Sequence, residues 1–247
     1  LWSRGLGDVY KRQMKSLPLV PLFFAAPAFT AIHTETVRIP MRDGVALVAD
    51  VYRDDAVPKA PVILTRTPYN RTKAKAAGER FAKAGYVYVI QDCRGKFESE
   101  GTFAPYNNEG QDGYDTIEWI TRQAWCNGRV GMSGGSYVGA VQWQAAVEHP
   151  PGLCAIAPQA TWSSFYRNIY LGGSVRLALI AGWLSTNTPK PEGTQPQDLS
   201  QALLRLPLSE VDSAIGWDMP WLDAFLTHPE PNGFWTRLNL TPRPVSY

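Results

Sequence analysis

The stretch Arg129-Val130-Gly131-Met132-Ser133-Gly134-Gly135-Ser136-Tyr137-Val138-Gly139 opens as a β-type run, passes through a glycine-rich turn and enters a helical segment that extends to about Glu148. A strand that turns sharply into a helix needs glycines where a side chain would collide with a neighbouring strand or helix, and Gly134 and Gly139 stand at such points. The turn points the Ser136 hydroxyl out at the carboxyl edge of a sheet, where α/β folds place their ligands. It also puts the Tyr137 amide at a helix N-terminus, aimed at the oxygen of a tetrahedral intermediate. Gly-Ser turns are common, and the last glycine stands one position later than in G-x-S-x-G, so the flanking strand and helix carry the reading. A phosphate-holding loop would have a lysine after the turn, and none follows. Ser133 lies inside the strand end without a small-residue turn before it, which leaves Ser136 as the candidate nucleophile.

Upstream, Val37-Arg38-Ile39 and the run from Ala46 to Tyr52 flank Arg42-Asp43-Gly44 and predict a β-hairpin. Pro61 to Thr65 and Tyr86 to Ile90 are nearly continuous apolar runs, as parallel strands covered on both faces require. Between them a helix is predicted from Arg71 to Ala84, closed by Gly85. Another is predicted from Gln111 to Gln123, with Ile117, Trp119 and Ile120 as buried positions, and a fourth run follows at Leu153 to Ala157. Strands and helices alternating with short links over residues 34–172 predict an α/β fold, a doubly wound and mostly parallel sheet with right-handed crossovers.

Beyond Ala160 the character changes. Ser174 to Trp183, Asp198 to Leu206, Ser209 to Ile215 and Pro220 to Thr227 predict short amphipathic helices broken by the proline-rich segment 188–193, a helical cap insertion over 173–240. So few parallel strands, and a proline-rich close at 241–247, lead us to expect an incomplete sheet and an N-terminal fragment of a longer protein.

At the other end, residues 1–13 precede Met14 and fit nothing after it, as an artefact of cloning or assembly would. Lys15, the apolar stretch from Leu17 to Phe24 and Ala26-Pro27-Ala28 then follow in the order of a secretory signal peptide over 14–28. That stretch is too short and too proline-broken for a permanent membrane helix, so the mature chain is expected to begin near Phe29 and to be secreted or periplasmic. The 247 residues carry 24 basic and 22 acidic side chains without a basic stripe, which points away from nucleic acid and toward a small-molecule partner. Cys93, Cys126 and Cys154 are too few and too widely spaced for a disulfide scaffold or a CxxC zinc site.

The chain resembles the cocaine esterase and glutaryl-acylase group of α/β-hydrolases (CocE/NonD hydrolases), relatives of the X-Pro dipeptidyl-peptidases. The resemblance is carried in unbroken order by Met41-Arg42-Asp43-Gly44-Val45, Thr67-Pro68-Tyr69-Asn70, Asp92-Cys93-Arg94-Gly95, Ser99-Glu100-Gly101, Trp125-Cys126-Asn127-Gly128 and the Ser136 turn. It implies an α/β-hydrolase sheet with a cap, and hydrolysis of acyl esters or amides through an acyl-Ser136 intermediate without metal or cofactor. It further implies that the Tyr137 amide is one oxyanion donor and the Tyr69 hydroxyl the other. A phenol with a pKa of about 10 is a neutral donor suited to that role. By the same resemblance Tyr170 falls on an aromatic wall of the acyl pocket. Arg94 and Gly95 read as structural, an arginine pinning the loop after a strand.

In this fold the triad runs Ser, Asp, His in chain order. His33 precedes the sheet, and His149 closes the helix that Ser136 opens, about 13 residues at roughly 1.5 Å each, or about 20 Å away. His228 follows Asp218 and Asp223 but belongs to the predicted cap helices. The resemblance implies that acid and base lie in later strands, so this chain alone is expected to be inactive or nearly so. Two other functions compete. X-Pro dipeptidyl-peptidase action needs a carboxylate for a free α-amino group, and Trp162 to Leu177 contains neither Asp nor Glu. A non-catalytic binding domain on the same fold is the other.

Overall fold

The computed structural model describes residues 31–195, 198–236 and 238, so the expectations for 1–13 and 14–28 lie outside the described residues. The apolar runs become strands β1 (Ile32–Pro40), β2 (Ala46–Asp54), β3 (Ala60–Thr67), β4 (Val87–Asp92), β5 (Cys126–Gly135) and β6 (Leu153–Gln159). They form one sheet in the order β1-β2-β4-β3-β5-β6, antiparallel across β1-β2 and β2-β4 and parallel from β4 to β6. The hairpin turn closes through the Gly44 amide on the Met41 carbonyl at 3.0 Å, with Gly44 at φ 85°, a conformation that glycine adopts without strain. Both hairpin strands run longer than their apolar cores, because β1 alternates exposed and half-buried residues at an antiparallel edge.

Helices α1 (Lys75–Lys83), α2 (Glu109–Thr121) and α3 (Tyr137–Val147) make the crossovers. The first turn of the helix predicted from Arg71 is a separate 3₁₀ turn, Arg71–Ala74, capped by the Asn70 side chain. On one face of the sheet Val62, Leu64, Val89, Val130 and Met132 pack with Ile117 and Ile120 of α2 and Ala145 of α3. On the other, Tyr52, Tyr88 and Ile90 pack with Ala82 and Phe81 of α1. Each such buried aliphatic side chain contributes about 1.5–3 kcal/mol to burial. The chain moves one way from β3 to β4 and the other way from β4 through β5 to β6. Right-handed crossovers therefore cover opposite faces, and the winding switches at β3 and β5.

That switch positions the site. Leu64 is in register with Met132, so Thr67 and Gly135 end their adjacent strands at the same level. Tyr69 stands just past one end and Ser136 just past the other.

After Ala160 come α4 (Phe165–Ile169), the two-residue strands β7 (Tyr170–Leu171) and β8 (Ser174–Val175), then α5 (Leu177–Asn187), α6 (Leu199–Ala202), α7 (Val211–Ile215), α8 (Pro220–Leu226) and α9 (Gly233–Thr236). The helix expected from Ser174 starts instead at Leu177. Gly172 and Gly173, at φ 61° and 85°, turn the chain through a small hairpin first. These elements share an aromatic core of Phe165, Trp217, Phe225 and Trp235 that is continuous with Tyr137 of α3. Cys93, Cys126 and Cys154 are all free thiols.

Candidate active site

Ser136 is exposed and sits between β5 and α3 at φ 58°, ψ −125°, a backbone conformation that L-residues rarely adopt. Its amide donates to the Gln159 carbonyl at the end of β6 (2.9 Å), and its carbonyl accepts from the amides of Gly139 and Ala140. The glycines have the reason the sequence suggested. A Cβ on Gly134, at φ 143°, would lie 2.2 Å from Val138 Cγ1, and one on Gly139 would lie 3.0 Å from the Gln159 carbonyl oxygen and Thr161 Cβ. Ser133, by contrast, is paired with Ala157 within the sheet. Tyr137 opens α3, so its amide has no intrahelical acceptor. Backbone strain gathers around this point. Among the described residues at positive φ other than glycine, Ser136 and Tyr106 line one cavity, Asn70 follows Tyr69, and Ala160 follows Gln159.

That cavity, of about 60 Å³, is walled by Ser136, Tyr106, Trp162, Phe165, Ile180 and Trp183, with Asn168, Ile169 and Leu179 completing the lining. No histidine and no carboxylate is among these residues. Tyr69, half-buried, packs against the same aromatic cluster, and its hydroxyl accepts a hydrogen bond from Trp183 Nε1 at 3.0 Å. Tyr170 lies behind the wall rather than in it. Its hydroxyl donates to the Phe225 carbonyl (3.0 Å) and its ring meets Tyr166 and Trp235, while its neighbours Asn168 and Ile169 face the cavity.

Beneath the serine lies a buried polar network that no sequence motif announced. The Tyr137 hydroxyl donates to Glu109 Oε1 (2.7 Å) and accepts from the Tyr106 amide (3.1 Å). Burial first, and then the charge of Glu109, raise the Tyr137 pKa well above the usual tyrosine range, so the phenol stays a donor. Glu109 pairs with the fully buried Arg66 at 2.7 Å, and Arg66 also donates to Gln91 (2.7 Å). Burial pulls the Arg66 pKa down, and Glu109 ahead of the other neighbours more than restores it. Gln142, 1% exposed, staples the turn: its amide nitrogen donates to the Gly134 carbonyl (3.1 Å) and its oxygen accepts from Ala157 N–H (3.0 Å). On the Tyr69 side, Arg71 donates to Asp92, Asp50 and Glu98, and its amide to Asp92, which fixes the loop after β3. Arg94 has the structural role read from the sequence, bridging Asp112 (2.6 Å) and Asp43 (2.8 Å). Gly95 has it too, since a Cβ there would meet Phe103 N at 2.2 Å.

The three histidines stand elsewhere. His33 faces Asp55 at 3.6 Å, His149 follows the far end of α3, and His228 stacks on Phe234 with Nδ1 against the Ala224 carbonyl (2.7 Å). Asp212, Asp218 and Asp223 bring ligand atoms within 4.8 Å of one another. Asp212 is already engaged by the amides of Ser213 and Met219. Among the described residues no helix is long and apolar enough to cross a membrane.

The chain is 37% identical over 233 residues to the cocaine esterase of Rhodococcus sp. (strain MB1 Bresler), which covers 84% of this chain and 40% of that protein. A shorter match, 32% over 115 residues, covers 40% of this chain and 14% of the Xaa-Pro dipeptidyl-peptidase of Lactiplantibacillus plantarum. Among solved structures, an alpha-amino acid ester hydrolase superposes with TM-score 0.73 at 26% identity, over 91% of this chain and 43% of that one. The chain thus spans less than half the length of each of these relatives. The family model for X-Pro dipeptidyl-peptidase (S15 family) matches residues 43–244, from the hairpin turn through the serine turn and the helices that follow, and the chain belongs to that family.

Proposed function

We propose that this chain supplies the nucleophile half of a serine hydrolase that cleaves acyl esters or amides, with Ser136 forming the acyl-enzyme. The observation that carries the reading is the strained, exposed Ser136 at the carboxyl edge of the sheet's switch point, with the unpaired Tyr137 amide beside it. In this reading the Tyr137 N–H and the Tyr69 O–H receive the negative charge that develops on the carbonyl oxygen. The acid and base are sought in the part of the relatives that this chain does not span. The order Lys15, Leu17 to Phe24, Ala26-Pro27-Ala28 supports export to the periplasm or medium.

X-Pro dipeptidyl-peptidase action is the second reading, favoured by the family match and the Lactiplantibacillus relative. The cavity lining favours the acyl ester: apart from Ser136 and Asn168 it is aromatic and aliphatic, with no carboxylate to hold an α-ammonium group. The complete product of the reading frame, assayed with 4-nitrophenyl butyrate and with a Gly-Pro anilide, separates the two. Faster turnover of the ester, lost in Ser136→Ala, supports the acyl ester; faster release of the dipeptide overturns it.

A further inference from the structure

Trp183 touches both residues to which the oxyanion donors are assigned, one through its hydroxyl and the other through its ring. Its ring lies parallel to the Tyr137 ring, with centroids 5.6 Å apart and planes 7° off parallel, and its indole N–H donates to the Tyr69 hydroxyl at 3.0 Å. Phe103 and Tyr106 flank it at 6.3 Å each, which holds the indole plane. An indole nitrogen donates and cannot accept. The Tyr69 proton therefore cannot be spent on Trp183, and among the described residues it has no other acceptor. A phenol oxygen that receives a hydrogen bond also becomes a better donor through its own proton.

We propose that Trp183 is a positioning residue that sets the Tyr69 hydroxyl as a donor into the cavity at Ser136 while its stacked face supports the residue supplying the second donor. The proposal rests on the reading of Ser136 as nucleophile and Tyr69 as oxyanion donor. It assigns to the first helix after the small hairpin a part in transition-state stabilisation, separate from the apolar contact its ring makes in the cavity. Tyr69 is then pre-aimed before substrate arrives, and no reorganisation is needed as the charge develops.

The test uses the complete reading-frame product with 4-nitrophenyl butyrate as substrate and butylboronic acid as a tetrahedral probe of the oxyanion site. Trp183→Phe keeps the ring face and deletes the N–H. Losing one such hydrogen bond should lower kcat by about 3–10-fold and weaken the boronic acid by a similar factor, with KM moving less than about twofold. In a Tyr69→Phe background the same change should have no further effect. A protein carrying 3-benzothienylalanine at position 183, which is shaped like tryptophan without the N–H, should behave as Trp183→Phe and decides the matter if the phenylalanine variant does not fold. Wild-type kcat with the benzothienyl side chain, or an undiminished effect of Trp183→Phe when Tyr69 is already phenylalanine, overturns the proposal and leaves the parent reading standing. Full hydrolysis in Ser136→Ala, or in Tyr69→Phe, overturns the parent reading and the proposal with it.

Discussion

The two sides of the Ser136 cavity are held by different physics. The sheet side is a lattice of directed bonds: Gly134 and Gly139 at contact distance, Gln142 stapling two strands, and Tyr137 anchored on Glu109 and the buried Arg66. The helical side, from Trp162 through α4 and α5, is mainly aromatic and aliphatic contact, with Phe165 packed against Tyr106, Phe225 and Trp235, and the Trp183 N–H bond to the Tyr69 hydroxyl is its directed exception. Directed bonds fix atoms to a few tenths of an ångström and fail when one partner is removed, because the other is left buried and unpaired. Apolar contact fixes volume and tolerates exchange among residues of similar size. The serine and its donors are placed by the first kind, and the space for the acyl group is shaped by the second.

That contrast can be broken by substitution. Glu109→Gln should cost the most, about 3 kcal/mol, because Arg66 then keeps, among the described residues, only Asp112 at 3.7 Å as a carboxylate partner. Urea unfolding of the variant reads it, and a loss below about 1 kcal/mol would remove the network from the account. Gly134→Ala follows at about 2–3 kcal/mol, since its Cβ would meet Val138 at 2.2 Å in a conformation that alanine resists. Made in the complete reading-frame product, the same variant should lower 4-nitrophenyl butyrate turnover well beyond its loss of stability, as the turn itself must shift. Phe165→Leu, on the apolar side, should cost about 1–2 kcal/mol and, in the complete reading-frame product, change KM more than kcat. A kcat loss as large as that of Gly134→Ala would erase the distinction. Arg122→Ala, which removes an exposed pair with Glu118 one helical turn away at 2.7 Å, should change stability by less than about 0.5 kcal/mol.

The sheet side was also the more legible in the sequence. Parallel strands must be apolar on both faces, so runs such as Val87-Tyr88-Val89-Ile90 declare themselves. Gly134 and Gly139 stand where backbone approach leaves room for nothing larger. The partners of those residues were not legible. Glu109 precedes the helix predicted from Gln111 and Asp112 falls in its first turn, where acids are ordinary, and only the fold brings Arg66 of β3 beneath them. Gln142 looks like any helical glutamine until β6 is placed beside it. On the helical side, Trp183 sits in an apolar segment, Leu177–Asn187, whose pattern says core and nothing of the Tyr69 hydroxyl more than a hundred positions earlier. The second strand of the short hairpin, Ser174–Val175, reads in the sequence as the start of a helix, since Gly172-Gly173 marks a turn without stating its type. Tyr170 itself supports the cavity wall from behind, a distinction of one helical step from Ile169 that residue type cannot make.

The central claim is that Ser136 is a nucleophile primed by its turn. The direct measurement is labelling of the complete reading-frame product with a fluorophosphonate, followed by mass-spectrometric mapping of the modified peptide. A single adduct on Ser136, absent from Ser136→Ala, is the predicted result; label at Ser133 would contradict the account by moving the nucleophile, and a folded protein that takes no label would contradict it and leave a binding domain on a hydrolase fold as the better description.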